Sequence, residues 1–117
     1  MKILLVDDEE KFVSRLAERM TLRDFDVDWA TTYDEALSKA RTGKYDIAVL
    51  DIKIPSMSGI DLKRRIEKMV PDIKFIFITG HGSERDYDIV CKEAFCCIIK
   101  PFKIETLIDS IKQALNT

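Results

Sequence analysis

Histidine is almost missing from this chain, cysteine is sparse and crowded, and no apolar run is long. The one histidine, His81, belongs to no ligand pattern, and the three cysteines, Cys91, Cys96 and Cys97, lack C-x-x-C spacing. These lacks argue against a zinc site. An odd number of cysteines packed into one segment is not how a disulfide framework is spread along a chain, so reduced thiols are expected. No stretch approaches the roughly 20 apolar residues of a membrane span, and the opening MKILLVDDEE turns acidic too early for a signal peptide. A cytoplasmic protein without membrane contact is the expectation. Nor is there an excess of one charge. Lys and Arg number 19 against 21 Asp and Glu, a formal net charge of -2, so nothing favours direct nucleic-acid binding or an anionic membrane surface.

What is there is the balance of an ordinary globular domain, 46% hydrophobic and 34% charged over 117 residues. That length buries one core without metal or disulfide staples. No repeat, low-complexity tract or linker interrupts it, so one domain over residues 1–117 is expected. Five short apolar runs alternate with five helical patterns, which predicts a parallel sheet built from βαβ units. The strands are expected at Lys2 to Val6, Phe25 to Trp29, Ile47 to Leu50, Ile73 to Ile78 and Phe95 to Ile99. Helical stripes run through Phe12, Val13, Leu16, Ala17 and Met20, and through Tyr33, Ala36, Leu37 and Ala40 after a cap at Thr31 or Thr32. A third helix runs from Gly59 to Met69, with Pro71 helping to stop it. A fourth, around Glu84 to Glu93, has the weakest stripe. The last keeps Ile104, Leu107, Ile108, Ile111 and Leu115 on one face. The fold class is α/β and flavodoxin-like, a five-stranded parallel sheet of order 2-1-3-4-5 flanked by five helices.

Ligands of such sheets bind outside the carboxyl ends of the strands. Strand one ends in Asp7 and Asp8, strand three in Asp51, strand four in Thr79 and strand five in Lys100, and right-handed crossovers carry these ends to one edge. The run Ile47, Ala48, Val49, Leu50 shows no apolar/polar alternation, as in a strand buried on both faces, yet it ends on the carboxylate of Asp51. Two carboxylates about 4 Å apart repel by roughly 4 kcal/mol at an effective dielectric of 20. Three acids in one pocket therefore need a cation or must take up protons. A hard divalent ion such as Mg2+ suits carboxylate and carbonyl oxygens in a partly open site, Lys100 adds a charge for an anion, and Thr79 adds a donor. Singly each residue has a plainer reading: Asp8 as a helix cap, Thr79 as a strand end, Lys100 as a surface lysine. Their joint place at one sheet edge favours the functional reading.

These residues carry a resemblance. The acidic pair in LLVDDEE, the aspartate in VLDIKIPSMSG, the threonine in FIFITGHG and the lysine-proline in IIKPF, in that order along the whole chain, resemble the receiver domain of two-component response regulators. The resemblance implies that Asp51 is the phosphoacceptor and that Asp8, Asp51 and the backbone carbonyl of Lys53 bind Mg2+, with Asp7 acting through a water. It implies that Lys100 pairs with the phosphoryl group, that the Thr79 hydroxyl and Gly80 amide bond its oxygens, and that Lys53 and His81 line the path of a hydrolytic water. Gly80 and Gly82 would let the following loop move, and Pro55 and Gly59 would shape the turn after Asp51. The Lys100–Pro101 bond is expected to be cis. The protein would be its own substrate rather than a conventional enzyme. Its partners would be a sensor histidine kinase or phosphotransfer protein and an output domain or protein, reached through the face of the fourth helix, fifth strand and fifth helix, with room for a homodimer on phosphorylation.

Two positions depart from the resemblance. Cys97 stands where an aromatic switch residue is expected, three before the lysine, and Glu93-Ala94 stands where Gly-Ala is usual. Three other readings fit the residues less well. A haloacid dehalogenase-type phosphohydrolase needs a second acid two residues after the nucleophile, where this chain has Lys53. A flavodoxin-like electron carrier needs small and hydroxyl residues in the first loop, which here reads VDDEEK. A receiver-like binding module that is never phosphorylated would be favoured by loss of the acids or the lysine, and all are present.

Overall fold

A computed structural model of the chain describes residues 1–54, 57–80 and 91–116, with the backbone alone at 53, 54 and 57. In chain order the elements are β1 (Lys2–Val6), α1 (Glu10–Thr21), β2 (Asp26–Ala30), α2 (Tyr33–Thr42), β3 (Ile47–Asp51), β4 (Lys53–Ile54), β5 (Met57–Ser58), α3 (Gly59–Met69), β6 (Lys74–Thr79), β7 (Cys96–Ile99) and α4 (Ile104–Leu115). The main sheet is parallel with order β2-β1-β3-β6-β7, which is the expected 2-1-3-4-5 arrangement in this numbering. The expected fourth helix, around Glu84 to Glu93, falls mostly outside the described residues, so four helices are described where five were expected. The two-residue strands β4 and β5 form a small antiparallel pair beyond the five expected strands.

The central strands carry apolar residues at every interior position because both sheet faces are covered. Alternate side chains point to opposite faces. Ile3, Leu5, Ile47, Val49, Ile76 and Ile78 therefore pack with Val13, Leu16 and Met20 of α1 and with Leu107, Ile108 and Ile111 of α4. Leu4, Val6, Ala48, Leu50, Phe75 and Phe77 pack on the other side with Ala36 and Ala40 of α2 and Leu62 and Ile66 of α3. Helix ends follow local chemistry. The Thr32 hydroxyl accepts from the Glu35 amide at 3.2 Å, capping α2, and Ser58 accepts from the Asp61 amide at 3.2 Å, capping α3. Each satisfies one of the amides that a first helical turn leaves unpaired.

One expectation is corrected. Cys91 and Cys97 are not reduced thiols but a disulfide, with Cα atoms 5.4 Å apart, and Cys96 is the free cysteine. Spacing along the sequence could not show this, because the chain turns back after Cys91, where the Ala94 amide donates to the Cys91 carbonyl. Strand alternation then selects the pair: Cys97 faces the α2 and α3 side, while Cys96 faces the α1 and α4 side.

Candidate functional site

The carboxyl edge of the sheet gathers the predicted residues. β1 is held between β2 and β3, and the amide of Asp7, just past its end, donates to the Ala30 carbonyl at 3.1 Å. Asp51 is the last residue of β3, where the next amide, that of Ile52, donates to the Ile78 carbonyl at 2.9 Å. Asp7 and Asp51 are buried, 2% and 6% exposed, and Asp8 is exposed. Their carboxylates converge, with one oxygen from each lying within 4.8 Å of the others. Gly59 lets the chain turn this tightly. Its amide donates to the Ile52 carbonyl at 2.8 Å, and a Cβ there would sit 2.7 Å from the Asp51 carbonyl oxygen.

Lys100 enters from the far side. It follows β7, its amide donates to the Thr79 carbonyl at 2.8 Å, and the Lys100–Pro101 bond is cis, as expected. Its ammonium lies 2.5 Å from Asp7 Oδ2 and 3.7 Å from Asp51 Oδ2. Glu9 and Phe12 complete the surroundings and were not anticipated. Glu9 Oε1 lies 3.1 Å from Nζ, and the Phe12 ring centroid lies 4.4 Å from it. Glu9 belongs to the acidic run VDDEE and Phe12 to the apolar stripe of α1, and neither pattern points to Lys100.

Charge in the pocket follows the burial. Desolvation holds the Asp7 carboxyl above its ordinary value, against the pull of its hydrogen bond with Lys100 and of the Glu9 amide on Oδ1 at 2.9 Å. Burial alone would lower the Lys100 ammonium, but hydrogen bonds to Asp7 and Glu9 and the charges of Asp7 and Asp51 outweigh it and raise it. One lysine thus offsets three carboxylates only in part. The donor set is all carboxylate oxygen, partly open at Asp8, which fits a hard divalent cation such as Mg2+ and not a soft metal.

The other predicted residues are placed as follows. Thr79 is buried at the end of β6, and a Cβ on Gly80 would meet nothing within 4 Å, so the chain beside Thr79 borders open space. The backbone of Lys53 lies in β4, two residues past Asp51. Pro55, His81 and Gly82 lie outside the described residues.

Fold and pocket define a doubly wound α/β domain with an acidic site at the carboxyl edge of its sheet. The family model of the response regulator receiver domain matches residues 3–112. The chain belongs to that family. It is 32% identical over 118 residues to the uncharacterized transcriptional regulatory protein YkoG of Bacillus subtilis, covering 97% of this chain and 50% of that protein. It is 33% identical over 120 residues to the response regulator ArlR of Staphylococcus aureus, covering 98% and 52%. The chain spans about half or less of the length of the curated relatives it matches. Among solved structures, a CheY-like receiver domain protein of Methanospirillum hungatei superposes with a TM-score of 0.90 at 29% identity, covering 98% of this chain and 93% of that one. The response regulator TrrA of Thermotoga maritima, crystallised with Mg2+–BeF, superposes with a TM-score of 0.85 at 32% identity, covering 97% and 98%.

Proposed function

We propose that this chain is a phosphoacceptor switch in which Asp51 takes a phosphoryl group from a sensor histidine kinase or phosphotransfer protein. The convergence of the Asp7, Asp8 and Asp51 carboxylates, with the Lys100 ammonium against Asp7 and Asp51, carries the reading. An Asp51 carboxylate oxygen attacks phosphorus in line, a P–O bond forms, and the P–N bond of the donor phosphohistidine breaks with its electron pair leaving on the imidazole. Asp8, Asp51 and the Lys53 carbonyl would hold Mg2+, with Asp7 acting through a water. The ion would offset charge on the transferring group.

Lys100 exchanges part of its contact with Asp7 and Glu9 for the new phosphoryl oxygens. The Thr79 hydroxyl and the Gly80 amide donate to the same oxygens, and the phosphoryl group brings about two negative charges to the pocket. That draws the end of β6 inward and changes the face formed around β7 and α4, through which an output domain or partner protein, or a second copy of the chain, reads the state. Lys53 and His81 set how fast water removes the group. We place this chemistry in the cytoplasm; among the described residues no helix is long and apolar enough to cross a membrane.

The test is intact mass after incubation with acetyl phosphate and Mg2+. One phosphoryl group is expected on the parent and none on Asp51→Asn or on the parent with EDTA. Equal labelling of Asp51→Asn would falsify the assignment.

A further inference from the structure

We propose that Cys91 and Cys97 form a reversible thiol–disulfide centre whose oxidation slows phosphoryl acceptance at Asp51; the coupling rests on the function proposed above. The bond has no evident task as a staple. The core closes on both faces of the sheet without it, and the bond spans a sequence separation of only 6, where the constraint on the unfolded chain is smaller than for a long loop. Both cysteines are half-buried, within reach of a small oxidant or reductant. In a reducing compartment a half-buried pair of this kind rests as the dithiol, and a disulfide there is usually transient and redox-sensing.

Its position gives the bond leverage on the site. Cys97 pairs in register with Phe77 of β6, and Thr79 and Lys100 lie two and three residues further along the two strands. Cys91, the other end of the bond, stands five residues before the start of β7. The segment between the cysteines is anchored separately. Glu93 lies 3.7 Å from Lys63 and 3.4 Å from Arg64 of α3, and the Phe95 amide donates to the Phe75 carbonyl at 2.8 Å. Oxidised, the start of β7 is tied covalently to a segment pinned on α3, so the strand that delivers Lys100 resists displacement. Reduced, that tie is gone and the ammonium can follow a phosphoryl group.

The chemistry balances with a low-molecular-weight disulfide such as oxidised glutathione. The thiolate of one cysteine attacks a glutathione sulfur, forming a mixed disulfide and releasing one glutathione thiolate. The second cysteine thiolate then attacks the protein sulfur of that mixed disulfide and releases the other glutathione. Two protein thiols are oxidised, one disulfide is reduced, and the two protons lost by the cysteines end on the two glutathiones.

The experiment has two arms on the full chain. In the first, thiols are alkylated after equilibration in glutathione buffers and counted by mass. One reactive thiol, Cys96, is expected in the oxidised form and three in the reduced form; three thiols in every buffer would overturn the centre. In the second, labelling by acetyl phosphate and Mg2+ is timed in both forms, and in Cys91→Ser and Cys97→Ser as locked open chains. Reduced and serine forms should label about fivefold faster than the oxidised form, the low end of ordinary coupling between sites. Equal rates overturn the coupling while leaving the Asp51 assignment intact. Labelling in neither form overturns that assignment and the coupling with it, whatever the thiol count.

Discussion

β3 and β7 each hand one residue to the same pocket, from very different surroundings. β3 lies between β1 and β6 and all five of its residues are buried. β7 has β6 as its one strand neighbour among the described residues, buries one of its four residues, and leaves Ile99 51% exposed. The centre of the sheet therefore fixes the carboxylate, where displacement would disrupt two ladders and two packed faces. The edge carries the cation, where a small shift disturbs little. Under the function proposed above, a pocket that keeps Asp51 still while the Lys100 ammonium follows an incoming phosphoryl group would obtain both from strand order.

The largest effects should break this contrast if it is wrong. Leu50→Ala empties a fully buried position one residue before Asp51 and should cost about 2–5 kcal/mol in urea unfolding. Ile99→Ala, on a half-exposed edge position, should cost no more than about 1 kcal/mol. Comparable losses at the two sites would show that β7 is held as firmly as β3.

The next largest effect is expected at the acids of the pocket, two of them buried, Asp7 and Asp51, and one exposed, Asp8. Asp7 is held above the ordinary carboxylate value of 3.8, first by burial. An acid whose folded value is raised contributes stability below its unfolded value, and that contribution is lost as pH rises through the folded value. Without divalent metal, then, the Asp7 contribution falls as pH climbs above about 3.8. Mg2+ requires the ionised carboxylates, so its effect grows in the same direction. At about a hundred times its dissociation constant it should add about 2.7 kcal/mol at neutral pH and almost nothing in acid. Thermal melts with Mg2+ and with EDTA check this, and curves that stay parallel from acid to neutral pH would remove the metal from this pocket.

How much of this could be read from the residues differs along the same divide. IAVLD is apolar without alternation, so its double burial and the anomaly of its final acid were both visible. Gly59 was legible as a turn residue, but its reason, the approach to the Asp51 carbonyl, is a tertiary contact. Glu9 and Phe12 meet Lys100 across some 90 residues of chain, which no local pattern encodes. β4 and β5 are too short to leave a periodic signal. The disulfide is not legible in the sequence because its geometry depends on a turn after Cys91 and on which sheet face each neighbouring cysteine takes.

The smallest prediction compares the two edges of the sheet. β2, the opposite edge from β7, reads DVDWA, and its charged Asp26 and Asp28 blunt it against pairing with other chains. It is also pinned by side chains. The Tyr45 hydroxyl donates to Asp28 Oδ2 at 2.7 Å, Lys2 Nζ lies 3.8 Å from the same oxygen and 5.1 Å from the Tyr45 ring centroid, and a Cβ at Gly43 would meet that ring at 2.4 Å. Tyr45→Phe keeps the packing and removes the hydrogen bond, so it should cost about 1 kcal/mol near neutral pH. Burial, then the bond to Asp28, raises the Tyr45 phenol above its ordinary 10.0. A phenol raised in the folded state contributes stability that is present below the unfolded value and is lost as pH rises through the folded value. The parent's advantage over Tyr45→Phe should therefore shrink once pH passes about 10 and reverse as the unfolded chain ionises. Paired urea titrations at neutral and alkaline pH measure this directly. An advantage unchanged at alkaline pH would mean that the phenol titrates alike in both states, and that the β2 edge is held by packing and charge without this bond.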